Sequence, residues 1–154
     1  MPAQNDQEQK SNSQPCLICD RAAAEGEARF IYQGEHYRVR HSDETDLSGY
    51  LIVESRRHFL DLSHATPGEA DDLGAVIARA TRAIHIFCQP QRVYSFTLAE
   101  AVPHFHMHLI PRAADLDSAY VGRGIMTYPL NPALAPQKRQ EVAAQLQKIL
   151  SQSA

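Results

Sequence analysis

Apolar residues recur along this chain with two different periods. Leu73, Val76, Ile77, Ala80, Ile84 and Phe87 return at steps of three or four, the spacing of one helix face. Thr66 can cap that helix, Pro67 suits its first position and Glu69 completes a capping box. The helix is therefore expected to run from Pro67 to about Gln89-Pro90. Val142, Leu146, Ile149 and Leu150 form a second stripe, predicting a helix over residues 136–150. Residues 30–33 and 37–40 are short apolar-polar segments separated by Gly34-Glu35, which reads as a β-hairpin. Residues 49–53 are a β-rich apolar run, expected as a central strand, and residues 92–98 read as another strand. The sharpest alternation is Val102-Pro103-His104-Phe105-His106-Met107-His108-Leu109-Ile110-Pro111-Arg112. Period two predicts a strand with His104, His106 and His108 on one face. Phe105, Met107 and Leu109 then lie on the other face, available for burial. The elements add up to an α+β fold, an antiparallel sheet of about five strands with one long helix and a C-terminal helix.

The chain has 154 residues, 44% of them hydrophobic, which is enough for one domain with a substantial core. Residues 15–150 are expected to form that domain. Residues 1–14, rich in Gln, Asn and Ser, read as a disordered tail. A net charge of −3 argues against a partner bound through a nucleic-acid backbone. No apolar run reaches the ~20 residues that span a membrane, and the polar start shows no signal peptide. A cytoplasmic location in a reducing compartment is the expectation, and three cysteines cannot all pair. Cys16-x-x-Cys19 is half of a tetrahedral metal site, or two small buried residues at a domain start. A redox role needs a thioredoxin-like βαβ context, which the pattern lacks.

The histidine row changes the picture most. Neutral imidazole is a nucleophile, a proton shuttle and a metal ligand. Three imidazoles at strict alternation, each backed by an apolar residue, point to chemistry rather than to a solvated strand face.

His104-Phe-His106-Met-His108-Leu-Ile-Pro-Arg112 resembles the histidine-triad signature of the HIT nucleotide hydrolases and transferases, and the likeness in layout extends from Cys16 to about Arg112. The resemblance implies a nucleotidyl hydrolase acting at the α-phosphate of a dinucleoside polyphosphate, such as diadenosine tetraphosphate, or of an adenosine phosphoramidate. His106 is the implied nucleophile and forms a covalent nucleotidyl-histidine. A backbone carbonyl is expected to fix its tautomer. His108 is expected to contact the phosphate or donate a proton toward the leaving group, and His104 to orient the site. Relatives that carry a Cys pair complete it with a mid-chain His and the first triad His, which implies a structural zinc held by Cys16, Cys19, His58 and His104. His64 is the alternative to His58. Magnesium is expected only with the substrate, and no organic cofactor. The family forms two-fold dimers, so a homodimer is implied.

In relatives the loop after the hairpin carries an acid that holds the ribose hydroxyls, and Asp43 is nearest to that position. Two features depart from the family pattern. Gly49-Tyr50 stands where Gly-His is usual. The loop before the triad is short, with Glu100 where a phosphate-binding Gln is usual, and a carboxylate there repels polyphosphate. Tyr120 and Tyr128, in the irregular stretch after Arg112, can stack on a base, close a dimer or simply pack. Two alternatives stand beside the hydrolase: a nucleotidyltransferase of the same superfamily, and a zinc-stabilised nucleotide-binding module without turnover, which Glu100 and the short loop motivate.

Overall fold

Five antiparallel strands carry the architecture: β1 (Tyr32–Gln33), β2 (Tyr37–His41), β3 (Leu51–Ser55), β4 (Arg92–Phe96) and β5 (His106–Arg112). Their order in the sheet is β1-β2-β3-β5-β4. The structure is a computed structural model that describes residues 15–130 and 133–152, so the tail expected over residues 1–14 lies outside it. Three helices accompany the sheet: α1 (Leu17–Glu25), α2 (Pro67–Cys88) and α3 (Pro136–Gln152). Among the described residues no helix is long and apolar enough to cross a membrane.

Alternation sorts the strand residues between two faces. Tyr37, Val39, Leu51, Val53, Phe105 and Leu109 form one apolar layer, at most 1% exposed, with Met107 partly buried beside them. Leu73, Val76, Ala80 and Ile84 of α2 and Val142, Leu146 and Leu150 of α3 pack on this layer. Both stripes seen in the sequence are thus buried stripes. The opposite face carries Tyr50, Ile52 and Ile110. It is covered by two short 3-10 turns, Ser118–Tyr120 and Gly122–Thr127, of which Ile125 is buried.

Two elements differ from expectation. The triad strand starts at His106, so only His106 and His108 stand on it. Pro103 has no N–H to give, and the His104 N–H turns back to the Val102 carbonyl at 2.8 Å. Phe105 then bonds Phe59 and Ser55 instead of continuing a regular ladder. The second difference is α1. Its run Leu-Ile-Cys-Asp-Arg-Ala-Ala-Ala-Glu has good helix formers but only one buried residue, Ile18, so no stripe announced it.

The α2 N-terminus is held from two directions. Thr66 Oγ1 accepts the Glu69 N–H, and the Glu69 carboxylate accepts the Thr66 N–H at 2.7 Å, closing the expected capping box. The same carboxylate receives a two-pronged bond from Arg57, at 2.9 and 2.7 Å. Helix α2 is thereby tied to the loop after β3, next to His58. At the other end of β3, Gly49 enters with φ 87, a conformation glycine tolerates, and a Cβ there would stand 3.2 Å from the Phe87 ring.

The Arg57 guanidinium, aided by the Thr66 N–H, holds the Glu69 carboxyl down from its ordinary 4.5 to about 2. Between those values the unfolded chain binds more protons than the folded one. Stability from this group is full above pH ~4.5 and is lost as pH falls toward 2. We expect Glu69→Gln to cost roughly 1–2 kcal/mol at pH 7 and to flatten this part of the acid limb. Urea unfolding of both proteins at pH 7, 4.5 and 3 measures it; parallel acid limbs would contradict the assignment.

Candidate functional site

The chemistry-bearing side chains gather where β5 begins. His106 and His108 project from the sheet face opposite α2 and α3, with ring centroids 5.0 Å apart. Each has one ring nitrogen committed. His106 Nδ1 lies 2.7 Å from the His104 carbonyl oxygen. A carbonyl only accepts, so Nδ1 carries the proton and Nε2 keeps a free lone pair. This is the backbone acceptor the triad chemistry requires, and it comes from within the triad.

His108 Nδ1 lies 2.7 Å from the Tyr50 hydroxyl. Tyr50 is 5% exposed, and burial pushes its phenol above the ordinary range, so the proton stays on oxygen. Burial, the neighbouring His106 and Arg40 together push His108 down to about 4, so its ring is neutral at pH 7. His108 is the only hydrogen-bond partner of the Tyr50 hydroxyl among the described residues. The phenol donates to Nδ1, which assigns the His108 proton to Nε2. Phe96 stacks on the same ring at 5.0 Å and 23°. The residue standing where the family shows a histidine is therefore the partner of the third triad histidine.

His104 sits before the strand and is fully buried. Its Nε2–H donates to the Ser55 carbonyl at 2.8 Å, leaving Nδ1 unprotonated. That Nδ1 faces three other donor atoms: Cys16 Sγ at 3.4 Å, Cys19 Sγ at 3.5 Å and His58 Nδ1 at 3.2 Å. Cys19 Sγ is 3.7 Å from His58 Nδ1, and all four atoms lie within 4.8 Å of one another. A tetrahedral ion ~2.3 Å from sulfur and ~2.05 Å from nitrogen separates its donors by roughly 3.6 Å for S–N and 3.3 Å for N–N. The measured separations match those edges. Two thiols, two imidazoles and an outer carbonyl that fixes one tautomer fit a divalent metal with no ligand position left over. Without a metal, burial and then Cys16 push the Cys19 thiol up to about 11, so a metal must displace its proton. His64 is exposed, pairs with Asp61 and lies outside the cluster.

A narrow cleft of about 40 Å³ opens beside His106 and His108. Leu17, Ile18, Ile52 and Val102 give it apolar walls, and Arg21, Arg29, Arg40 and Glu44 give it charge. The arginines are already paired. Arg40 bonds buried Glu54 and approaches Asp43 at 3.5 Å, Arg29 meets Glu25 at 2.6 Å, and Arg21 meets Asp43 at 3.9 Å. Asp43 itself lines a separate depression with His41 and Arg139. The loop acid in the cleft is its neighbour Glu44, one position from the residue the sequence pointed to. Glu100 is exposed and lines neither depression that contains His108. Before it, Ala99 adopts φ 53, which turns the short loop.

Comparison with known proteins identifies the family and the fold. The sequence pattern of the HIT domain matches residues 23–115. An uncharacterised HIT-like protein of Mycobacterium tuberculosis is 30% identical over 121 residues, covering 73% of this chain and 81% of that one. A hypothetical histidine triad nucleotide-binding protein from Sulfolobus tokodaii has the same fold, with a TM-score of 0.69 at 15% identity over 89% of this chain and 93% of that one. So does a zinc-bound histidine triad family protein from Mycobacterium smegmatis, with a TM-score of 0.66 at 22% identity over 90% and 94%.

The tautomer assignment is directly observable. Nitrogen-15 spectra of the protein at pH 7 are expected to show His108 protonated at Nε2 alone. Tyr50→Phe removes the donor, and the two His108 tautomers should then mix. An unchanged His108 pattern in Tyr50→Phe would mean that the phenol does not set the ring.

Proposed function

Because the chain belongs to the HIT domain family, we propose that it is a nucleotidyl hydrolase. It cleaves at the α-phosphate of an adenosine phosphoramidate or a dinucleoside polyphosphate, through a covalent nucleotidyl-histidine on His106. The observation that carries this is the 2.7 Å bond from His106 Nδ1 to the His104 carbonyl, which leaves an unprotonated Nε2 on a ring that lines the cleft.

In the first step His106 Nε2 attacks phosphorus and forms a P–N bond. The bond to the leaving group breaks, its electron pair leaves with the departing atom, and that atom takes a proton from water. In the second step water attacks phosphorus, the P–Nε2 pair returns to His106, and the water proton is lost to solvent. His108, neutral and protonated at Nε2, donates a hydrogen bond to a phosphoryl oxygen in both steps. Of the two roles the sequence left open for it, this one fits a ring held at about 4, since few His108 rings carry a proton to give at pH 7. In this reading no organic cofactor takes part and magnesium comes only with the substrate. Asp43 is read as the acid on the ribose side of the site, where it pairs with Arg21 and Arg40. Turnover is favoured over a binding-only module because Glu100, the residue that argued for the latter, is exposed and does not line the cleft. The protein is read as a homodimer, as in the resembling family.

The metal in this reading is zinc, in a structural role at Cys16, Cys19, His58 and His104. Bound there it cross-links the start of α1, the loop after β3 and the segment before β5. With four protein ligands it offers no open position to a substrate.

Two measurements test the reading. Elemental analysis is expected to find one zinc per chain, lost in Cys16→Ser/Cys19→Ser, with a lower melting temperature in the double variant and in chelator-treated wild type. Zinc-free protein of full stability would remove the metal. Wild type is expected to release AMP from diadenosine tetraphosphate or an adenosine phosphoramidate, and His106→Ala to lose at least about a thousandfold of that rate. Rapid-quench mass spectrometry should find AMP attached to wild type and not to the variant. Full activity of His106→Ala would overturn the mechanism.

A further inference from the structure

His108 and Glu44 also border a second depression. This one holds about 160 Å³. Tyr50, Phe96, Ile110, Ile125 and Tyr128 are among its walls. Around it stand Leu98, Met126 and Leu130, which are 57%, 49% and 63% exposed. Large apolar side chains gathered in water around one opening call for an occupant. Among the lining residues there is no lysine or arginine, and Glu44 is the one carboxylate.

We propose that this pocket receives the group that departs from phosphorus, and that it selects an uncharged, flat apolar leaving group over a polyphosphate. The inference rests on the hydrolase reading above and narrows it. Its first support is geometric. A displacement at phosphorus sets nucleophile and leaving atom roughly in line, on opposite sides. His106 lines the cleft and not the pocket, whereas His108 and Glu44 line both. A phosphorus attacked by His106 and held by His108 has its leaving group on the pocket side.

The second support is chemical. A polyphosphate entering here meets no cation and one carboxylate, so it loses water without gaining a partner. An aromatic ring gains apolar burial and stacking partners. The third is size: a cavity of about 150 Å³ takes a benzene ring, and a whole second nucleotide is much larger.

Part of the pocket lies outside the family pattern. Ile125, Met126, Tyr128 and Leu130 come from beyond residues 23–115, the part that the family pattern covers. Their placement is built in. A Cβ at Gly124 would overlap the Ala119 carbonyl oxygen, Gly122 N–H donates to the Tyr94 hydroxyl at 2.8 Å, and Tyr128 donates to Asp46 at 2.7 Å. For an amine leaving group, the P–N bond of the substrate breaks, the nitrogen keeps the pair and takes a proton from water, and the neutral amine leaves through the pocket mouth.

The experiment compares three substrates on the full chain: AMP amidated with phenethylamine, AMP amidated with methylamine, and diadenosine tetraphosphate. Wild type is expected to prefer the phenethyl over the methyl amide by at least about tenfold in kcat/KM, with the tetraphosphate poorest. Ile125→Trp fills the pocket and should bring the ratio of the two amides close to one. Because both rates come from the same protein, a general loss of activity cancels in that ratio. Leu98→Asp/Leu130→Asp, at exposed positions, should lower the ratio in a protein whose fold is not at issue. Equal rates on the two amides, or a ratio unchanged in the variants, overturns the proposal. So does a change from dimer to monomer in Leu98→Asp/Leu130→Asp with the ratio intact, which would make the rim an interface between copies.

If none of the three is turned over, the hydrolase reading fails, and the pocket is judged by binding. Adenosine 5′-phenethylphosphonate, with an unbreakable P–C bond, should shift the methyl signals of Ile125 and Met126, whereas the methylphosphonate should not. Identical spectra with the two phosphonates would overturn the pocket as well.

Discussion

The arrangement turns on His104, a triad histidine that stands before the triad strand. Its ring donates from Nε2 to Ser55 on β3, which forces Nδ1 to face Cys16, Cys19 and His58 without a proton. Its backbone carbonyl accepts from His106 and forces that ring to keep its lone pair on Nε2. One residue thus fixes two imidazole tautomers through different atoms. Each bond is buried or partly buried, where a group that loses its partner costs about 1–3 kcal/mol, so the set holds together or fails together. A metal in the Cys/His cluster would act on the reactive ring only through this backbone, by fixing where the His104 carbonyl points.

The two faces of the sheet divide the remaining work. The face under α2 and α3 carries the main apolar layer and supplies the burial that anchors β3 and β5. The other face is polar where β2, β3 and β5 meet, with the buried Arg40–Glu54 pair beside the triad and Glu54 in register with His106. A buried ion pair adds little net stability but is costly to break, so it holds position rather than strength. The Arg57–Glu69 link ties the faces together, because the carboxylate that caps α2 also holds the loop that presents His58.

Periodicity carried most of the architecture. The stripes of α2 and α3 and the alternation of β2, β3 and β5 are direct consequences of burial on one side, and burial is what a hydrophobic pattern records. Three things escaped it. Helix α1 buries one residue, so its helicity comes from alanines and from the segments packed around it. The break at His104 leaves the alternation of residue types unchanged, and only Pro103 hinted at it. The cover over the outer face comes from residues 118–130, where turns rich in glycine and proline have no period. The histidine row announced the chemistry, but its partners were less legible. Tyr50 reads as a missing histidine until its hydroxyl is seen on His108, and which loop acid lines the cleft, Glu44, depends on contacts that set the loop's register.

Neutrality links the site to its substrate. His106 needs a lone pair to attack, and His108 is neutral because it is buried between Tyr50 and Phe96. A site built this way has good hydrogen-bond donors and no strong acid. It cannot rescue a poor leaving group by protonating it, so discrimination must come from where the leaving group is held. In the proposal above, the cation-free and largely apolar pocket beside His108 would do that. In the proposed reaction it would bind the departing group before and during bond breaking and leave the phosphoryl oxygens to His108. Tyr50 and Phe96, which pack against the His108 ring, are also walls of that pocket. Burying the ring to keep it neutral and shaping the space for an apolar group are then one structural act.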